Sequence, residues 1–330
     1  MIKKDKTLVF KVIFRFVVCA NLLLMAMPVS SASILGPAAP YNLFTLNSIN
    51  VQTSESLGRV AAGGNITMSN YGVGSGTSSP ATNSLIAGGD VNLAHLAIYN
   101  GGAFVGGNAY LDHYNVGGDV VVNGTLTLGP GGGTISGSAS GNAGATAPIN
   151  FVSAFTDLTA TSTSLAGMTP TGVTHVEPWL AISLVGSGAF NVFNVNGSDL
   201  SQASSLAFNI DPGSVAVVNI SGQNNGLSNF AISGTEGNRE NILYNYYESL
   251  ALGISGIGVK GSILAPNADV IFNNGHIDGT IVANSLSGTG EFHSFPFQGV
   301  TPVPLPAAVW LFGSGLLGVS LMGARRRRRN

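Results

Sequence analysis

The chain has 330 residues, 46 of them glycine, with 13 basic and 15 acidic side chains and a formal charge of −2. Between Ser33 and Pro302 only Arg59, Arg239 and Lys260 oppose fourteen carboxylates, a net −11 that the basic termini conceal. A field of that sign repels nucleic acid and phosphate-rich ligands, and a surface of Gly, Ser, Thr and Asn suits turns and strands rather than helices.

The chain opens with Lys3, Lys4, Lys6 and Lys11, followed by a mostly apolar run from Val12 to Met27 that Arg15 and Asn21 interrupt, and then by "VSSAS". This order predicts a secretory signal peptide over residues 1–32, cut at Ala32 or Ser33. An uncleaved N-terminal anchor is the alternative. Cys19, the single cysteine, follows Val17 and Val18 where a lipoprotein signal needs a small residue, so it is not read as a lipid site. The chain beyond it has no thiol and no disulfide chemistry.

Residues 33–300 read as a mainly β body. "AAGGNITMSN", "IAGGDVNLAH", "FVGGNAYLDH" and "NVGGDVVVNG" each set a glycine pair before Asn or Asp and a short alternating strand, with pairs beginning at Gly63, Gly88, Gly106 and Gly117. An irregular repeat of this kind predicts a β-solenoid whose rungs bury their inward residues against one another; a β-sandwich with glycine-rich hairpins is the alternative. "GPGGGTISGSASGNAGATA" reads as a flexible low-complexity loop. After it, Phe151, Val152, Phe155, Leu158, Thr159, Ser162 and Leu165 fall near helical spacing, with Gly167 as a stop, which predicts one flanking helix. "FNVFNVNG", "LAFNIDPG" and "SVAVVNISG" return to strand. "GSILAPNADV", "IFNNGHIDGT" and "IVANSLSGTG" read as three short strands, with Ile263, Val270, Ile271, Ile277, Ile281, Val282 and Leu286 as core.

Residues 301–330 form a tail of different character. Leu305 to Ala324 is twenty residues without a charge, enough for a transmembrane helix across a hydrocarbon core of about 30 Å. Arg325, Arg326, Arg327, Arg328 and Arg329 follow as a basic stop that places the body outside the cytoplasm. A permanent single-span anchor needs nothing more.

"YNLFTLNSIN", "GRVAAGGNITMSNYGVG", "NILYNY" and "GSILAPNADVIFNNGHIDGTIVANSLSGTGEFHSFPF" together resemble the choice-of-anchor A family of bacterial surface proteins, and the tail resembles the PEP-CTERM sorting signal in its VPLPA form. The resemblance covers nearly the whole chain beyond the signal peptide. It implies an exosortase in the cytoplasmic membrane of a Gram-negative bacterium as partner, with Val303, Pro304, Leu305 and Pro306 as the processing motif. It also implies general secretion, a transient membrane hold, and release toward the cell surface or extracellular matrix. The core motif departs from Pro-Glu-Pro.

The body offers no catalytic constellation and no cofactor motif. A β-helix enzyme acting on acidic polysaccharide would need gathered acids together with cations for the substrate carboxylate, and the body has three basic residues. Glu236, Arg239 and Glu240 make the densest charged cluster and read as a solvated loop or local ion pair. His95, His113, His175, His276 and His293 lack the spacing of a helical metal site, although a solenoid would stack His95 on His113. Asp90, Asp119, Asp269 and Asp278 sit in glycine turns, as Asx turns rather than calcium ligands. The expected function is therefore non-enzymatic adhesion or matrix structure. Its partner would be polysaccharide or another surface, with Tyr71, Tyr99, Tyr110, Tyr114, Tyr244, Tyr246 and Tyr247 as the aromatic contact candidates, each of which could equally be a half-buried solenoid residue. Ice binding ranks below it, because "TLTL" at Thr125 to Leu128 is the only short threonine array.

Overall fold

Parallel pairing dominates the computed structural model, which describes residues 33–77 and 81–299. Each strand lies beside the strand one turn of chain away. Tyr41–Thr45, Arg59–Ala62, Ala81–Ala87, Gly101–Val105 and Val120–Val122 form one ladder. Ile49–Ser56, Ile66–Val73, Val91–Ile98 and Ala109–Val116 form the next. This is the solenoid, and the sandwich alternative falls away, since among the described residues only Val173–Val176 and Ala181–Gly186 pair antiparallel.

The two stacks of rungs meet in the middle. Tyr41–Thr45 pairs with Arg59–Ala62 on one side and with Ile281–Gly288 on the other. Rungs therefore climb away from this seam over residues 41–140. They return to it through Phe190–Asn196, Val215–Ser221, Ile242–Asn245 and Ser262–Asp278.

The helix Phe151–Ala166 covers the ladder that contains the seam. Asn150 caps its start by accepting from the Ser153 amide at 3.1 Å, and Gly167 stands at its end. It buries Phe151, Ala154, Phe155, Leu158, Ser162 and Leu165 against Phe44, Ile86, Phe104, Val217, Leu243, Leu264 and Val282. Phe44 stacks on Phe151 and Phe155, with centroids 5.4 and 5.6 Å apart. Val152, expected on this stripe, is 73% exposed, because one residue's rotation of about 100° carries it off the face.

Close rung stacking explains the glycine pairs. A Cβ on Gly88 would meet the Gly63 carbonyl oxygen at 2.2 Å, and one on Gly106 would meet that of Gly88 at 2.3 Å. Further along each rung, Thr53, Asn70, His95 and His113 occupy one corner with φ of 56°, 49°, 51° and 47°. This left-handed bend divides each long strand into a four-residue segment before the corner, on what is called the broad face, and a three-residue segment after it, on the narrow face.

Three further expectations are corrected. The segment taken as a flexible loop contains Gly133–Ile135 and Ala139–Ser140, which pair with Ala109–Val116 and Val120–Val122. The preceding rung supplies backbone partners there, and Ile135 packs half-buried against the core. The first two of the three C-terminal strands are one bent strand, Ser262–Asp278, turning at Asn274 with φ 51°. Within it Ile263, Val270 and Ile277 are buried, as are Ile281, Val282 and Leu286 in the next strand, whereas Ile271 is 57% exposed. Alternation fixes this, since Val270 and Phe272 point inward and Ile271 must point out.

Candidate functional site

On the broad face the outward residues of successive rungs stand in register. Gly253 lies beside Ile271, Ile271 beside Ser287, and Ser287 beside Asn50. Asn50 is followed by Thr67, Asn92, Tyr110 and Thr127. The column crosses the seam without a break. Gly253, Ile271, Asn50, Thr67, Asn92, Tyr110 and Thr127 are exposed and Ser287 is half-buried.

A second row stiffens this face. The Asp90 amide donates to Asn65 Oδ1 at 2.8 Å, the Asn108 amide to Asp90 Oδ1 at 2.6 Å, and the Thr125 amide to Asn108 Oδ1 at 2.9 Å. Asp119 Oδ1 likewise accepts from the Ser138 amide at 2.7 Å, and Asp269 Oδ1 from Ser285 Oγ at 2.6 Å. Asp90, Asp119 and Asp269 thus act as rung-to-rung acceptors.

Asp278 is different. It is 1% exposed, and its Oδ2 accepts from Lys260 Nζ at 2.9 Å and Arg239 Nη1 at 3.1 Å. Its Oδ1 faces His293 Nδ1 at 2.7 Å and His276 Nε2 at 3.8 Å. Lys260 Nζ also lies 2.7 Å from His276 Nε2, and His293 Nε2 lies 3.0 Å from Glu291 Oε1. Burial alone would raise the Asp278 pKa, but the hydrogen bonds from Lys260 and His293 outweigh it and hold the carboxyl below its ordinary value. Burial, then the Lys260 charge, depresses the pKa of His276.

Residues far apart in the sequence are thereby gathered. Arg239 pairs with Asp278 rather than with its sequence neighbours, Glu240 accepts from Gln298 Nε2 at 3.0 Å, and Glu236 is exposed. His276 and His293 stack with centroids 4.8 Å apart, and the expected His95–His113 stack forms at 4.2 Å. His113 Nδ1 lies 3.1 Å from Asp112 Oδ2, while His175 is exposed on Val173–Val176. Of the tyrosines proposed for surface contact, Tyr71, Tyr114, Tyr244 and Tyr246 are buried, Tyr247 is half-buried, and only Tyr99 and Tyr110 are exposed.

Ala32, Val303, Pro304, Leu305, Pro306 and Arg325 to Arg329 lie outside the described residues, as does the expected span 305–324. Ser33 begins the described chain and its Oγ accepts from the Leu35 amide at 3.3 Å. Among the described residues no helix is long and apolar enough to cross a membrane.

A family model described as an ice-binding-like adhesive domain matches residues 34–294. Among solved structures, the chain is similar to an ice-binding protein from the Antarctic ascomycete Antarctomyces psychrotrophicus, at 12% identity and a TM-score of 0.31, covering 81% of this chain and 99% of that one. It is similar to the ice-binding protein LeIBP from an Arctic yeast at 11% identity and a TM-score of 0.33, covering 83% and 96%. It is also similar to the ice-binding protein 1 domain of Shewanella frigidimarina at 12% identity and a TM-score of 0.29, covering 79% and 95%. No curated protein matches. The choice-of-anchor A resemblance is carried by its quoted motifs alone. The family match corrects the expected function: a family described as both ice-binding-like and adhesive supports ice binding or adhesion, and overturns the reading that ranks ice binding below a processed adhesive or matrix role. The exposed column is chemically mixed and becomes continuous only when the rungs stack.

Proposed function

The chain belongs to the family of ice-binding-like adhesive domains, and from that premise we propose that it binds ice through the broad face of the solenoid. The observation that carries this reading is the in-register column Gly253, Ile271, Ser287, Asn50, Thr67, Asn92, Tyr110 and Thr127. Rungs repeat at about 4.8 Å, so the column presents small polar groups and the larger Ile271 and Tyr110 side chains at a fixed period to a ligand that is itself periodic. Each contact is weak. A rigid array loses little conformational entropy on contact, so weak contacts add. The Asn65, Asp90 and Asn108 row supplies that rigidity.

The test is thermal hysteresis, together with partition into growing ice, of the purified full chain and of a Thr67→Lys/Asn92→Lys variant. A gap in the parent that shrinks in the variant supports the reading. The control is Asn115→Lys/Thr134→Lys on the narrow face, whose side chains are also exposed and which should keep the gap. Absence of a gap in the parent, or equal loss in both variants with the fold intact by circular dichroism, refutes it. We also propose that the basic and apolar start ending at Ala32 and Ser33 exports the domain. An intact mass beginning beyond that point checks this.

A further inference from the structure

We propose that His276, Asp278 and His293 form a binding site for a divalent transition metal of the zinc class, distinct from the broad face and independent of ice binding. The three lie on neighbouring rungs of the narrow face. His276 and Asp278 come from Ser262–Asp278 and His293 from Glu291–His293, paired so that Asp278 stands beside His293. One potential ligand atom from each lies within 4.8 Å of the others. Zinc bonds of about 2.0–2.2 Å place tetrahedral ligands roughly 3.4 Å apart, so side-chain rotation closes the site.

The hydrogen-bond inventory shows which lone pairs are on offer. An ammonium can only donate, so Lys260 Nζ at 2.7 Å means that His276 Nε2 carries a lone pair directed into the cluster. The same ammonium reaches Asp278 Oδ2 at 2.9 Å. Lys260 thus holds the place of a cation, bound by one imidazole nitrogen and one carboxylate. Its side chain is 27% exposed, and its long stem can withdraw to solvent.

His293 faces carboxylate oxygens on both ring nitrogens, Asp278 at Nδ1 and Glu291 at Nε2. As a metal ligand it would be the neutral imidazole, with the Nδ1 lone pair on the ion and Nε2–H toward Glu291. Glu291 keeps the Nε2 proton, the carboxylate support that orients metal-bound imidazoles. Arg239 holds Asp278 Oδ2 from the other side and lies over the Phe295 ring at 4.7 Å, leaving Oδ1 for the ion. Two nitrogens and one oxygen suit zinc rather than calcium or magnesium. The ion would add a further tie between rungs already joined by backbone bonds and by the Lys260–Asp278 and His293–Asp278 contacts.

The experiment is zinc chloride titration of the metal-stripped full chain by calorimetry, with cobalt substitution read in the visible spectrum. One zinc per chain and a four-coordinate cobalt spectrum are expected. His276→Gln/His293→Gln should weaken binding by at least about a hundredfold, and Lys260→Met should tighten it by about tenfold. His95→Gln/His113→Gln should leave it unchanged. The Lys260→Met arm retains all three ligands, so it decides the matter even if the double histidine variant does not fold. No stoichiometric zinc in either the parent or Lys260→Met, or loss of zinc only on replacing His95 and His113, overturns the proposal.

Discussion

Asn245 and Ser162 grip each other through both side chain and backbone. The Ser162 hydroxyl donates to Asn245 Oδ1 at 2.6 Å, and Asn245 Nδ2 donates to the Ser162 carbonyl at 2.9 Å. Asn245 also donates to Asn219 Oδ1 at 2.8 Å, and Asn219 Nδ2 donates to the Leu165 carbonyl at 2.8 Å. Asn219 and Asn245 are register partners on adjacent rungs. The pair therefore fastens the helix to the sheet in an otherwise apolar layer.

Asn245→Ala should lower stability by about 3 kcal/mol, since it leaves buried groups on Ser162 and Asn219 without partners. Asn47→Ala breaks the exposed Asn47–Asn284 bond of 2.8 Å and should change stability by less than about 0.5 kcal/mol. Urea unfolding of the two variants compares them. Equal effects would mean that the helix is held by its apolar face alone.

The glycine pairs yield a second contrast. Gly106→Ala drives a Cβ into the backbone of the neighbouring rung and should cost about 3 kcal/mol. Gly253→Ala points its new methyl outward, with nothing within 4 Å, and should be neutral or slightly stabilising, because alanine has fewer unfolded conformations to lose. Melting temperatures decide between them.

What was legible in the sequence was what recurs locally. Glycine pairs, strand alternation and the Phe151 to Leu165 stripe each leave a mark within one rung or one helix, and each predicts the element found. The charged cluster leaves no such mark, because Lys260, Asp278 and His293 are 18 and 15 residues apart and meet only through rung register. Those separations equal one turn of the solenoid here, so a rung-length alignment of the C-terminal strands was the signal that could have found them. The broad face was missed for the same reason. Ile271 departs from the buried position its apolar character suggests, because the parity of Val270 and Phe272 dictates exposure.

Two buried tyrosines separate hydrogen bonding from burial. Tyr244 donates to the Lys260 carbonyl at 3.2 Å, whereas the buried Tyr246 hydroxyl has no partner among the described residues. Tyr244→Phe should cost about 1 kcal/mol, and Tyr246→Phe should be neutral or stabilising. Burial raises the pKa of both, and of Tyr71, above the ordinary 10.0. A raised folded pKa gives a contribution fully present below the unfolded value and lost as pH rises beyond it. Stability should hold up to about pH 10 and then fall, less steeply in Tyr246→Phe. Denaturant midpoints across that range test the sign.

Ile271 joins the fold to the proposed contact. Its side chain is 57% exposed and sits in the outward column between Gly253 and Ser287. A core isoleucine replaced by serine would cost several kcal/mol through lost burial and a cavity, whereas an exposed one should change stability by about 0.5 kcal/mol or less. Ile271→Ser should therefore melt with the parent while showing a smaller thermal hysteresis, because one apolar group in the periodic array has become polar. A large drop in melting temperature would place Ile271 in the core and break the column. An unchanged melt with unchanged hysteresis would keep the fold but move the ice-contacting surface away from this part of the broad face.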